Sequence, residues 1–238
     1  MKKIIIYLYN LFYILLKPRK PKINFICDEE LVKYSLLNKK SLIRFGDGEY
    51  RIMYSNKGIE YQTFSKELQL DLNKIFSQYD ESSYLICIPP FFVKDIKWFM
   101  KNDKKYLSCF SKPRYHFLSK QKKNMKYGDA FLFRKGNEQT YSKLWTNQNK
   151  ILLIHNDEKW KDNFEKKYNK KIEFIKTPSR DSYKGCDEII KKVLAINNIN
   201  DYIVLVSAGP AAKVIAYELS KRGIWTVDTG HCFDDPLV

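Results

Sequence analysis

Short apolar runs alternate along this chain with longer stretches whose apolar residues recur every three or four positions. From Asp129 onward the alternation is regular. Ala130–Phe133, Lys150–Ile154, Lys171–Ile175, Tyr202–Val206 and Ile224–Val227 read as strands. Gln139–Trp145, Glu158–Tyr168, Ser182–Leu194 and Ala211–Lys221 read as the helices between them. The first half follows the same plan less evenly. A helix capped by Asp28 runs to about Asn38, and a strand and carboxylate loop occupy Ser41–Glu49. A helix covers Ser65–Tyr79, a strand Tyr84–Ile88 stops at Pro89-Pro90, and another helix covers Phe92–Met100. Lys101–Lys126 is basic and loosely patterned, either a loop region or a helix without definable ends. Apolar strands separated by helices predict an α/β sandwich on a mostly parallel sheet.

The beginning of the chain differs. Ile4–Leu16 is apolar or aromatic except for Asn10; Lys2 and Lys3 precede it, and Lys17, Arg19, Lys20 and Lys22 follow among Pro18 and Pro21. The run is shorter than the roughly 20 residues that span a bilayer, and no small-x-small cleavage site follows it, as a secretory signal would require. Two readings stand: an interfacial helix on an anionic membrane surface, or a helix packed on the domain. Residues 1–22 are thus an N-terminal arm with a stiff proline linker, and residues 23–238 one domain.

The formal net charge of +16 calls for an anionic partner: nucleic acid, a phosphorylated metabolite or an acidic membrane face. The basic residues are spread along the chain, and no RNP motif, zinc finger or basic zipper accompanies them, so nucleic acid is not the expected partner. Cys27, Cys87, Cys109, Cys186 and Cys232 are odd in number and form no CxxC pair. That excludes a disulfide framework and a structural zinc site, and fits a reducing, cytoplasmic setting. Serine-hydrolase elbows and HExxH motifs are absent as well.

Three stretches carry candidate chemistry. SLIRFGDGEYRIM (Ser41–Met53) opens as a buried strand, breaks at Gly46 and places Asp47 and Glu49 around Gly48. Two hard oxygen ligands at the end of a strand suit Mg²⁺ or Mn²⁺, which would hold a diphosphate; the same letters also describe an ordinary turn with solvated acids. LVSAGPAAKVIAYELSKRG (Leu205–Gly223) is a strand, a turn of Ser207, Ala208 and Gly209, and a helix entered at Pro210. Its free N–H groups favour a phosphate, and Lys213 could add charge. TVDTGHCFDDPLV (Thr226–Val238) ends a strand at Asp228 and offers His231 to a metal or phosphate, with Asp234 and Asp235 as candidate bases. In TPSRDSY (Thr177–Tyr183), Arg180 could reach a phosphate and Tyr183 could stack on a base. His116 and His155 read as structural. In a doubly wound sheet, ligands gather beyond the carboxyl ends of the strands, where these stretches would meet.

IRFGDGEY, the Ile88–Pro90 strand end, TPSRDSY, SAGPAAKVIAYELSKRG and VDTGH occur here in the order found in one bacterial family. From Asp28 to the C-terminus the chain resembles the GT-D glycosyltransferases, formerly a domain of unknown function. The resemblance implies a Rossmann-like domain with helices on both faces of the sheet, a nucleotide-sugar donor, typically a UDP-sugar, and a divalent metal, usually Mn²⁺. It implies that Asp47, Glu49 and His231 lie on the metal side. Arg44 and Gly46 of the RFGDGE block, with Ser207, Gly209 and Pro210 of the turn, would lie on the donor side. The family often carries a Glu among the acidic residues after its GH, where this chain has Cys232, Phe233, Asp234 and Asp235. The expected reaction is metal-assisted transfer of a sugar to a glycan, glycolipid or glycoprotein acceptor in cell-surface glycoconjugate synthesis. The alternatives are another nucleotide-dependent transferase and a non-enzymatic basic module on a membrane surface.

Overall fold

Parallel pairing requires a crossover between successive strands, and this chain supplies one each time. The computed structural model describes residues 2–16, 21–102 and 104–233. Its elements in order are α1 (Lys2–Leu15), β1 (Asn24–Ile26), α2 (Asp28–Asn38), β2 (Ser41–Arg44), α3 (Asp47–Ser55), α4 (Lys66–Ser77) and β3 (Tyr84–Ile88). Then come α5 (Ile96–Asn102), α6 (Lys104–Lys120), β4 (Lys126–Asp129), α7 (Glu138–Tyr141), α8 (Lys143–Thr146), β5 (Ile151–His155) and α9 (Lys159–Tyr168). β6 (Glu173–Lys176), α10 (Cys186–Leu194), β7 (Ile203–Val206), α11 (Pro210–Ser220) and β8 (Thr226–Asp228) complete it. Short 3-10 turns at Pro90–Val93 and Ser182–Gly185 lead into α5 and α10.

All eight strands among the described residues form one parallel sheet in the order β1-β4-β3-β2-β8-β7-β5-β6. Each half of the chain therefore builds half the sheet. The halves meet where β2 lies beside β8, with Leu42 opposite Val227. The inner strands are wholly buried: YLICI in β3, ILLIH in β5 and IVLV in β7 expose nothing, because helices cover both faces. On one side α10, α11, α4, α3 and α6 pack in sequence; α2, α7 and α8 pack together on the other.

The structure moves four expectations. The fourth strand of the first half is Lys126–Asp129, and Ala130–Phe133 forms the turn after it. Gly128 in that strand has no room for a side chain: a Cβ there would come within 2.7 Å of Cys87 Sγ on β3. Asp47 and Glu49 lie not in a loop but in the first turn of α3, after an extended Gly46. Within Lys101–Lys126 runs the 17-residue helix α6, with Pro113 inside it. Cys27, not Asp28, precedes α2 in extended conformation, and Asp28 opens the helix.

Within the N-terminal arm, α1 packs on α6. Ser111 donates its hydroxyl to the buried Asn10 side chain at 2.8 Å, Tyr13 meets the Tyr115 ring edge-on, and Ile14 is buried. None of the described helices is long and apolar enough to cross a membrane.

Candidate active site

Six strand ends and one irregular segment surround a cavity of about 970 Å³ at the carboxyl edge of the sheet. The loop after β2 brings Arg44, Gly46, Asp47 and Glu49; the loops after β7 and β8 bring Ser207, Gly209, Pro210, Lys213 and His231. All these predicted residues thus line a single cavity at the meeting point of the two half-sheets.

Its floor is a buried ion cluster. Lys213, on the first turns of α11, points its ammonium at Glu49 Oε1 (3.2 Å) and Asp228 Oδ2 (3.1 Å), and donates to the Gly209 carbonyl. All three charged side chains are almost completely enclosed. Glu49 Oε2 accepts the Gly46 N–H at 2.8 Å, and Asp228 accepts the backbone N–H groups of Arg44 and Gly230. Burial alone would raise the Glu49 carboxyl and lower the Lys213 ammonium. Their mutual attraction, with Asp228 and the Gly46 amide, outweighs it: Glu49 is held below the usual carboxylate value and Lys213 above that of a free lysine.

These contacts redirect two expectations. The Lys213 ammonium is engaged by two carboxylates and by the Gly209 carbonyl of the turn, so its charge is matched within the protein. Glu49 is occupied by Lys213 and Gly46 and does not form an open chelating pair with Asp47. Asp47, two residues earlier in the same turn, is exposed at the cavity.

The turn between β7 and α11 has the strand–turn–helix form that its letters suggested. Gly209 has φ +56°, and a Cβ there would come 2.7 Å from the Tyr61 ring, so the position admits only glycine on two grounds. Pro210 starts α11, leaving the helix N-terminus toward the cavity. The Ser207 hydroxyl donates to the Gly230 carbonyl and ties the turns after β7 and β8 together. Arg44 reaches over Phe133 and donates Nε to the Ala130 carbonyl at 2.7 Å. Its Nη1 has no hydrogen-bond partner among the described residues. Gly230 (φ +56°) is required here as well, since a Cβ would fall 2.1 Å from that nitrogen.

His231 stands on the rim, edge-on to Tyr61 with ring centres 6.0 Å apart. His155, read as structural, also borders the cavity; it is buried against Trp160 and Phe233. His116 lies elsewhere, stacked on Tyr54.

Two predicted residues are not brought to the cavity. Arg180 donates to the Glu60 carbonyl at 2.9 Å, and Tyr183 donates its hydroxyl to Asp71 on α4 at 2.7 Å; neither lines the site. Asp234 and Asp235 lie outside the described residues.

Tyr61, Arg134, Lys135 and Asn156 line the cavity without having been singled out. Tyr61 sits on a tight antiparallel bridge between Ile59 and Gln62, which has no periodicity to betray it. Asp181 pins that bridge by accepting from the backbone and hydroxyl of Thr63. Part of the cavity wall is aromatic and basic, with Phe110, Phe131 and Phe133 joined by Arg134 and Lys135.

Among the described residues no group of three or more His, Cys, Asp and Glu side chains could hold a metal ion. Among these residues a protein-built metal cage therefore does not fit. A Mg²⁺- or Mn²⁺-type ion that keeps water and substrate phosphates and takes one or two carboxylates does fit, with Asp47 as the accessible hard oxygen.

The family described as "Glycosyltransferase GT-D fold" matches residues 42–235. "Probable glycosyl transferase Gly" of Streptococcus gordonii is 26% identical over 91% of this chain. "Glycosyltransferase GlyD" of Streptococcus pneumoniae serotype 4 (strain ATCC BAA-334 / TIGR4) is 23% identical over 85% of it. The chain spans 33% and 26% of their lengths, respectively. Among solved structures, one described as "The highly conserved domain of unknown function 1792 has a distinct glycosyltransferase fold" superimposes with a TM-score of 0.75 at 21% identity. That match covers 95% of this chain and 82% of the other. "A New Glycosyltransferase (DUF1792) from Streptococcus sanguinis" gives 0.74 at 23% identity, covering 89% and 82%.

Proposed function

The chain belongs to the GT-D glycosyltransferase family, and from that premise we propose that its cavity binds a nucleotide-sugar, a UDP-sugar in the first instance, and transfers the sugar to a glycan acceptor. One observation carries the reading. The α11 N-terminus and an arginine with an unpartnered Nη1 converge on one cavity at the seam of the two half-sheets. Both hold anions, and a diphosphate is the anion a sugar donor brings.

The α11 turn binds one phosphate through backbone N–H groups, with Arg44 beside it. Tyr61 offers an aromatic face to the nucleoside or sugar. Asp47 would hold a divalent cation of the Mn²⁺ or Mg²⁺ kind; when bound, such an ion neutralises charge developing on the departing diphosphate. Glu49 serves from behind, fixing the first turn of α3 and hence Asp47. Asp234 and Asp235, next in the sequence after Phe233, are the carboxylates assigned to take the acceptor hydroxyl proton. The acceptor is a glycan on a polymer, protein or lipid carrier, handled in the cytoplasm.

The test is a thermal-shift series with UDP-sugars, with and without Mn²⁺, on the wild-type chain and Asp47→Ala. A ligand binding only the folded state raises the midpoint by mass action. We expect a Mn²⁺-dependent rise with a UDP-sugar, lost in Asp47→Ala while its ligand-free midpoint is unchanged. Stabilisation by ATP and not by any UDP-sugar would turn the assignment to a phosphotransferase.

A further inference from the structure

We propose that α1 is a membrane-docking helix that seats the protein on an anionic lipid bilayer through its outward face. The packing of α1 on α6 fixes which face that is. Asn10 and Ile14 point inward, so Ile4, Ile5, Leu8, Phe12, Leu15 and Leu16 point outward and remain between 46% and 65% exposed. Their spacing follows the helix turn, so they form one stripe, with Tyr9 beside it as an aromatic anchor. Among the described residues the other exposed large apolar side chains are Leu37, Leu70 and Leu194, each alone on its own helix. A stripe of six in line is an interaction surface.

Charge decides the occupant. Lys2 and Lys3 precede the stripe, and Lys17, Arg19, Lys20 and Lys22 follow it, in a chain with net charge +16. A second copy would bring these cations against their like. A bilayer bearing anionic headgroups pairs with them while its acyl chains accept the stripe.

The position of α6 gives docking a consequence. Phe110 of α6 lines the cavity, and the next residue, Ser111, bonds to α1. α6 thus joins the docking helix to the aromatic part of the cavity wall, where a headgroup-linked acceptor arrives. The docking itself does not rest on the donor assignment.

Flotation of the full chain with phosphatidylcholine vesicles, with and without about one third phosphatidylglycerol, tests it. We expect binding to the anionic vesicles, weakened by high salt. Leu8→Glu/Phe12→Glu should lose about tenfold or more of it, while Leu37→Glu keeps it. Wild-type hydrogen exchange across residues 4–16 should slow on adding anionic vesicles, a readout that needs no variant. Three results overturn the proposal: a folded wild-type chain that does not float, a double variant that floats as well as wild type, or a wild-type dimer without vesicle binding that Leu8→Glu/Phe12→Glu makes monomeric. The UDP-sugar thermal shift of the double variant, measured without vesicles, reports separately on the donor site and should match wild type.

Discussion

Lys213→Met removes the cation from between two enclosed carboxylates while keeping the bulk of its stem. Glu49 retains the Gly46 N–H and Asp228 retains the amides of Arg44 and Gly230, but neither keeps a counter-charge. Breaking a buried ion pair by deleting one partner costs about 3–5 kcal/mol. For a chain of 238 residues, each kcal/mol moves the thermal midpoint by about 2–4 °C, so the variant should melt roughly 6–20 °C lower at pH 7.5. In the wild-type chain the depressed Glu49 value contributes stability that is present above the usual carboxylate pKa and lost as pH falls through the folded value. Without Lys213, burial is opposed by the backbone amides and no longer by a cation, and Glu49 takes up a proton more readily. The deficit should therefore shrink between pH 7.5 and about pH 5. Glu49→Gln in the Lys213→Met background should cost less than the sum of the single changes. Circular dichroism melts at the two pH values measure all three. A midpoint within about 2 °C of wild type, or a deficit equal at both pH values, would refute the ion-cluster account.

Gly209→Ala should abolish donor stabilisation and lower stability by about 1–3 kcal/mol, because positive φ and the Tyr61 ring both oppose a Cβ. Gly136→Ala, at φ +97° but with nothing within 4 Å, should cost stability alone; equal donor effects from the two would count against the turn. Burial pushes the Asp129 carboxyl up to about 6, so its ionised form burdens the fold at neutral pH. Asp129→Asn should stabilise the protein at pH 7.5 by at most about 3 kcal/mol; the gain fades as pH drops below 6, and denaturant melts at pH 7.5 and 5 would show it. Tyr183→Phe should cost about 1 kcal/mol for its lost bond to Asp71 and leave UDP-sugar affinity unchanged. Tyr61→Ala should weaken that affinity, and titration calorimetry would separate the two tyrosines.

Elements with a strong local pattern were legible in the chain. YLICI and YIVLV could only be buried strands, and each glycine-bearing strand end fell on the ligand edge as sheet topology requires. KYGD was not legible as β4, since its identity depends on Cys87, Leu31 and Leu85 leaving room for Gly128 and nothing more. Pro113 hid α6, a helix held by Phe110 and Phe117 in the core despite the missing N–H. Within the site, Asp47, Gly209 and His231 follow strand ends and could be placed. The two partners of Lys213 could not be read, because ion pairs from α11 to α3 and to β8 leave no local trace. The same limit applies to Tyr183, whose hydroxyl answers to Asp71 across the fold.

β8 comes from the far end of the described chain yet lies near the middle of the sheet, between β2 and β7. Until it forms, β2 presents a bare apolar edge to whatever strand is near. Contacts between such distant positions delay folding, and an exposed edge invites pairing with the wrong chain. Asp228 sits on this late strand, so the buried ion cluster under the cavity closes only when the sheet does. A ribosome-bound chain lacking β8 would have an open ion cluster and be prone to aggregation.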